Sequence, residues 1–219
     1  MTGKIKATAL VILSILALGA LGPASALAED EITAEEYPAF LEGSLMTHLT
    51  FKIEGREATC KVEHYKATLN AKTGIDTFES EYTGCTAKVG MIEVPLTIDM
   101  NGCDWDYVIK DKWYNLVCPS GKKAILTAYS SVEQHMKKTP SCEYTVPAQE
   151  ELGYVEYENM SGLPGDIRLS VNLTGVEYTV SGFPFVCGEN GTFNNGTLTS
   201  ETTVSAKNEA GEPIGVMIG

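Results

Sequence analysis

Positive charge is scarce in this chain. Sixteen lysines and arginines face 29 acids, for a formal net charge of −13, and only Arg56 and Arg168 supply a guanidinium. Nucleic acid demands neutralisation of its phosphates, so this balance excludes a nucleic-acid binder. It also argues against anionic membrane surfaces. The familiar catalytic signatures are missing: there is no H-E-x-x-H, no G-x-S-x-G, no P-loop and no EF-hand loop. No C-x-x-C occurs, which removes the usual mark of zinc ribbons and thioredoxin-like redox sites. Beyond residue 28 no apolar run approaches the ~20 residues a membrane-spanning helix needs.

The beginning of the chain is different. Lys4 and Lys6 stand in an acid-free stretch, an apolar run follows from Ala9 to Leu21, Pro23 ends it, and Ala26-Leu27-Ala28 forms a small-x-small site. These are the parts of a secretory signal peptide, so residues 1–28 are expected to be removed after Ala28. The remaining 191 of the 219 residues lose Lys4 and Lys6 and carry a net charge of −15. All six cysteines (Cys60, Cys85, Cys103, Cys118, Cys142 and Cys187) lie in that part. An even number in an exported chain predicts three disulfides. The expected location is secreted or at the cell surface, with no transmembrane segment left after cleavage.

Residues 29–43 read as an extended acidic segment and 44–219 as the folded domain, with any sub-domain boundary near 139–150. From Ser44 onward Thr, Val, Ile and Tyr alternate with polar residues, and Gly, Asn, Asp or Pro interrupts every ten residues or so. That cadence predicts an all-β, antiparallel fold, either a sandwich or a partly open barrel, with at most one short helix. The helix is expected after Ser130, where Ser130-Ser131-Val132-Glu133 has the form of a capping box. Gly175 shifts the apolar parity from Ile167, Leu169 and Val171 to Val176, Tyr178 and Val180, which predicts a bulge.

Two hairpins are predicted in the middle of the chain. Asn101-Gly102 is a favoured two-residue turn, and folding there sets Met100 against Cys103, Ile98 against Trp105 and Leu96 against Tyr107. Pro95 would make that first strand an edge. Folding again at Lys110-Asp111 sets Cys103 against Cys118, Trp105 against Leu116 and Tyr107 against Tyr114. Cys103 and Cys118 then form a non-hydrogen-bonded pair with Cα atoms ~4.5 Å apart, within reach of a disulfide. A hairpin about Lys72-Thr73-Gly74 likewise sets Cys60 against Cys85, with Tyr82 against Glu63 as a mismatch that a bulge would absorb. Elimination leaves Cys142 with Cys187.

Few residues invite a functional role. In the predicted first hairpin Asp99 lies opposite Asp104, with Asp106 two residues on. Like charges so placed repel unless relieved, and a calcium ion with oxygen ligands would relieve them. Otherwise they form a solvated acidic face and the chain has no cofactor. Trp113 falls on the face opposite the core and is the candidate binding contact, whereas Trp105, Tyr107 and Tyr114 read as core. His48, His64 and His135 have no metal-ligand spacing. Ser120-Gly121-Lys122-Lys123 matches S-x-x-K but lacks its companion motifs in order, and reads as a turn. Asn159, Asn172, Asn190 and Asn195 each begin a glycosylation sequon, which matters only in a glycosylating host.

Several stretches together resemble a group of exported, disulfide-bearing, β-rich bacterial proteins of unknown function: Ile32-Thr33-Ala34-Glu35-Glu36-Tyr37-Pro38-Ala39, Tyr82-Thr83-Gly84-Cys85-Thr86, Asn101-Gly102-Cys103-Asp104, Val117-Cys118-Pro119-Ser120-Gly121-Lys122, Thr145-Val146-Pro147-Ala148-Gln149, and Gly191-Thr192-Phe193 before Asn195-Gly196-Thr197. The resemblance implies a bacterial, exported origin and brings no reaction or ligand. The expected function is a non-enzymatic binding or surface-interaction module for an extracellular ligand or surface partner. A secreted hydrolase using paired carboxylates and a structural envelope component are the alternatives.

Overall fold

The computed structural model describes residues 30–219 apart from 54, 55, 90, 163 and 164. The expected signal peptide lies outside the described residues. In chain order the strands are β1 (Ile32–Ala34), β2 (Ala39–Leu45), β3 (Leu49–Ile53), β4 (Arg56–Cys60), β5 (Val62–Leu69), β6 (Ile75–Thr83), β7 (Thr86–Val89), β8 (Ile92–Asp99), β9 (Asp104–Val108), β10 (Trp113–Val117), β11 (Ala124–Ala128), β12 (Cys142–Val146), β13 (Gly153–Asn159), β14 (Ile167–Gly182), β15 (Gly191–Lys207), β16 (Pro213–Ile214) and β17 (Val216–Ile218). One short helix, α1 (Val132–Met136), and a single helical turn, α2 (Pro184–Cys187), complete the elements among the described residues.

The pairings are antiparallel throughout, and they close on themselves. The order β15-β2-β5-β6-β9-β10-β13-β14 returns to β15 through the β14–β15 ladder, and so does β15-β3-β4-β7-β8-β11-β12-β14. The two circuits lie end to end, because β14 and β15 each serve both. Ile167–Leu173 of β14 pairs with β13 and its last residues with β12. The successive pairs β2+β3, β4+β5, β6+β7, β8+β9, β10+β11 and β12+β13 therefore act as six long strands, each broken near the middle. With β14 and β15 they make an eight-stranded up-and-down ring. The sequence favours a sandwich, with a partly open barrel as the alternative; these pairings describe a closed barrel.

Its interior is one core, and Tyr107, Tyr178, Phe78, Leu41, Leu116, Leu173 and Val155 are among its fully buried side chains. Eight strands enclose a space that side chains can fill. Here they do: two enclosed apolar gaps of about 30 and 20 Å³ remain, next to Phe51. Alternation along the strands produces this core, as in β9 and β10, where every second residue is buried. The N-terminal segment belongs to it as well. Ile32, Ala39 and Leu41 are buried and β2 pairs with β5 and β15, so the fold includes residues before 44. Nor does a boundary fall at 139–150, since β12 pairs on both sides with strands of the same ring.

The predicted β9–β10 hairpin is present residue for residue, with Trp105 opposite Leu116 and Tyr107 opposite Tyr114. Cys103 and Cys118 are bonded, with Cα atoms 4.1 Å apart. The Cys60–Cys85 register also holds. It runs unshifted from Ala58 opposite Ala87 to Lys66 opposite Glu79, so no bulge is needed. The mismatch is left standing: Glu63 faces Tyr82 on the buried side of the ladder, and the strands break at Lys61 and Gly84 beside the Cys60–Cys85 bond. Cys142 bonds Cys187. The bulge at Gly175 appears as a register shift between Thr174 and Val176.

The Asn101-Gly102 hairpin is a correction. Both residues do have positive φ, and Cys103 N–H donates to the Met100 carbonyl at 2.7 Å, so the turn forms. Yet β8 and β9 do not pair with each other. β8 pairs with β7 and β11, and β9 with β6 and β10. The turn is a kink within one long strand, and β8 is not an edge. Pro95 is accommodated because its missing N–H falls beyond the last β11 residue, where only its carbonyl is used, by Tyr129 N–H. The helix cap also moves by one residue: Ser131, not Ser130, accepts from the Gln134 N–H.

Candidate functional site

An up-and-down ring sorts its connections by end. The ends of β5, β9 and β13 and the starts of β6, β10 and β14 share one end with β1, β16 and β17. The ends of β3 and β7, the starts of β4 and β8, the α1 segment and the α2 segment share the other. The first end is closed. β1 and β17 pair across it, Ile32, Val216 and Ile218 are buried, and the Asn159 side chain brackets the Ile218 backbone, donating to its carbonyl at 2.7 Å and accepting from its N–H at 2.9 Å.

The other end is apolar and exposed. Met91, Ile92, Val132, Met136, Phe183 and Phe185 are 64–102% exposed there. Large apolar side chains this open are the informative kind of surface. They come from three separate connections, so no one amphipathic element explains them. Four of them (Met91, Ile92, Phe183 and Phe185) line a cleft of about 920 Å³ whose polar members are Ser130, Gln134 and Ser141.

The chain builds this end firmly. The Cys142–Cys187 bond ties α2 to the start of β12. Gly182 lies opposite Cys142 with φ +141°, and a Cβ there would sit 2.6 Å from Cys187 Sγ and from the Ser141 carbonyl oxygen, so only glycine leaves room for the bridge. Arg56 Nη2 donates to the Phe185 carbonyl at 3.5 Å. Gln134 Oε1 accepts from Ser130 N–H at 3.1 Å, Ser130 Oγ at 2.5 Å and Ser141 Oγ at 2.7 Å, fixing the α1 segment over the cleft.

The residues singled out from sequence are elsewhere. Asp99, at the end of β8, accepts from Asn101 N–H at 2.8 Å. Asp106, on β9, accepts from Thr77 Oγ1 at 2.6 Å. Asp104 is half-buried, and its carboxyl is pushed up by burial and by the charges of Glu79 and Asp106. Since β8 and β9 do not pair, Asp99 is not held opposite Asp104. Among the described residues no group of three or more His, Cys, Asp or Glu is placed to hold a metal ion. Trp113 is half-exposed on the outer wall, where its ring meets Tyr154 edge-on at 6.4 Å. Trp105, Tyr107 and Tyr114 are core. His48 and His64 are exposed, His135 packs on Tyr129, and Ser120 to Lys123 form an exposed turn.

Sequence reasoning missed Glu63. It is 1% exposed, on the inward face of β5, and neither carboxyl oxygen has a hydrogen-bond partner. Burial pushes it up to about 7, offset in part by the nearby Tyr65 and Tyr82 hydroxyls, which favour the charged form without making a well-formed hydrogen bond to it. Its parity with Tyr65 and Leu69 was the available signal. Glu63 lines neither enclosed gap nor the cleft.

Three disulfides suit an oxidising or extracellular environment. No helix among the described residues is long and apolar enough to cross a membrane. Comparison with protein-family models, curated proteins and solved structures yields no significant match.

Proposed function

We propose that the chain is an exported, disulfide-stabilised, non-enzymatic binding or surface-interaction module that makes its contacts with the apolar end of the barrel. The observation that carries this reading is the convergence of Met91, Ile92, Phe183 and Phe185 on one cleft, from connections far apart in sequence. Exposed apolar surface of this kind is costly in water and marks interaction sites. The signal-peptide pattern and the three disulfides support export, and the resemblance to exported bacterial proteins supports a bacterial surface or its surroundings.

The neutral apolar dye Nile red tests the site. Added to the oxidised protein at nanomolar concentration, it is expected to gain fluorescence, and Ile92→Ser/Phe185→Ser is expected to cut that gain at least fivefold. No gain, or an equal gain in the double variant, overturns the assignment of the binding surface to this end.

A further inference from the structure

We propose that the partner for this end is a second copy of the same chain, docked end to end about a two-fold axis. The inference rests on the apolar end being the contact surface and adds what covers it.

Area points to a protein of matching size. The six exposed side chains together present on the order of 800 Å² of apolar surface, about what one partner contributes to a standard interface. Among the described residues the eight-stranded ring has no free edge, so its wall offers no strand for a second chain to extend.

Charge permits the chain itself as that partner. At this end Lys52, Arg56, Lys88, Lys137 and Lys138 balance Glu57, Glu93, Glu133, Glu143 and Glu189 among the described residues, with Lys52 opposite Glu57, Lys88 paired to Glu57 and Lys137 to Glu133. Elsewhere beyond residue 28 acids outnumber bases by more than two to one. Two copies meeting wall to wall would repel. Meeting at the balanced ends, they avoid setting one acidic wall against the other.

The end is also cheap to desolvate and already rigid. The three donors around Gln134 Oε1 are satisfied within the chain, so covering them strands few polar groups. Phe183 and Phe185 are held by the Cys142–Cys187 bond, which limits the ordering cost of docking. In a two-fold arrangement the Phe185 of each copy would enter the other's cleft against Met91 and Ile92, an isologous contact.

Sedimentation velocity on the full chain, exported and oxidised by a bacterial host, tests this. The expected result is a monomer–dimer equilibrium in the micromolar range, weakened at least tenfold by Ile92→Asp and by Phe185→Ser. Both variants should keep the parent's near-ultraviolet dichroism. Nile red binding should fall as protein concentration rises through the dimerisation range. A dimer that neither variant weakens overturns the assigned surface. A monomer at every concentration that still binds the dye, or phosphatidylcholine vesicles, at this end overturns the second copy and leaves the binding surface standing. A monomer that binds neither overturns both.

Discussion

Glu63 stands directly opposite Tyr82 in the β5–β6 ladder, inside the barrel wall, with both carboxyl oxygens unpartnered. An ordinary glutamate at this position would be ionised at neutral pH. Burial moves this one up to about 7, so between pH 4.5 and about 7 the folded chain keeps a proton that the unfolded chain releases.

The sign follows from that difference. Neutral Glu63 contributes its full stability below the unfolded value, and the contribution is lost as pH rises through the folded one. Unfolding free energy is therefore expected to fall by roughly 3 kcal/mol between about pH 5 and pH 8 from this group. Glu63→Gln should flatten the slope and stabilise the protein at the alkaline end. Urea unfolding at both pH values checks it, and a flat parent profile would count against the assignment.

Tyr82 has a second role. Its hydroxyl accepts the Trp105 indole N–H at 2.8 Å in the core. Tyr82→Phe leaves that buried donor unsatisfied and should cost about 1–3 kcal/mol in denaturant unfolding, with a change in Trp105 fluorescence.

The Cys103–Cys118 bond closes a separation of 15 residues at the open end of the β9–β10 hairpin. Replacing both cysteines by alanine should remove about 3 kcal/mol of stability while leaving the register intact. Chemical denaturation gives the loss, and the two-dimensional NMR cross-strand contacts of Trp105 with Leu116 test the register.

How much of this was legible in the sequence depends on distance along the chain. The β9–β10 pair and the Cys60–Cys85 register were readable, because both are hairpins in which the cysteines, the turn and the apolar parity must agree. Ring closure was not: β15 meets β2 and β3, more than 140 residues away, and alternation does not name a partner strand. Asn101-Gly102 misled because its local preference for positive φ is real but does not say whether the flanking strands pair. The apolar end escaped notice for a related reason. Met91, Phe183 and Phe185 are unremarkable singly, and only the alternation of eight long strands brings their connections together. The expected juxtaposition of Asp99 with Asp104 went with the hairpin on which it depended.

Gly43 marks a close approach across the wall. A Cβ there would lie 2.7 Å from Tyr65 Cδ2, 2.9 Å from Tyr65 Cβ and 3.2 Å from Thr202 Cγ2. Gly43→Ala is expected to lower stability by about 1–3 kcal/mol despite its favourable effect on the unfolded chain, measured as a lower melting temperature.

The Asn159 bracket should be local in its effect. Asn159→Ala removes two hydrogen bonds to Ile218 and is expected to speed amide exchange in β17 at least tenfold, with little change in β14 or β15. Uniform acceleration across the barrel would mean the bracket supports the whole fold instead.

The pairing of β1 with β17 has a practical side. Glu31 and Gly219 exchange backbone hydrogen bonds, N to O at 3.2 and 3.1 Å, so the two ends of the described chain emerge side by side, at the pole opposite Phe185. A tether attached at Gly219 would hold the barrel like a lamp on its stem, with the apolar pole facing outward and unobstructed. Immobilisation through that residue thus presents the contact surface in one orientation.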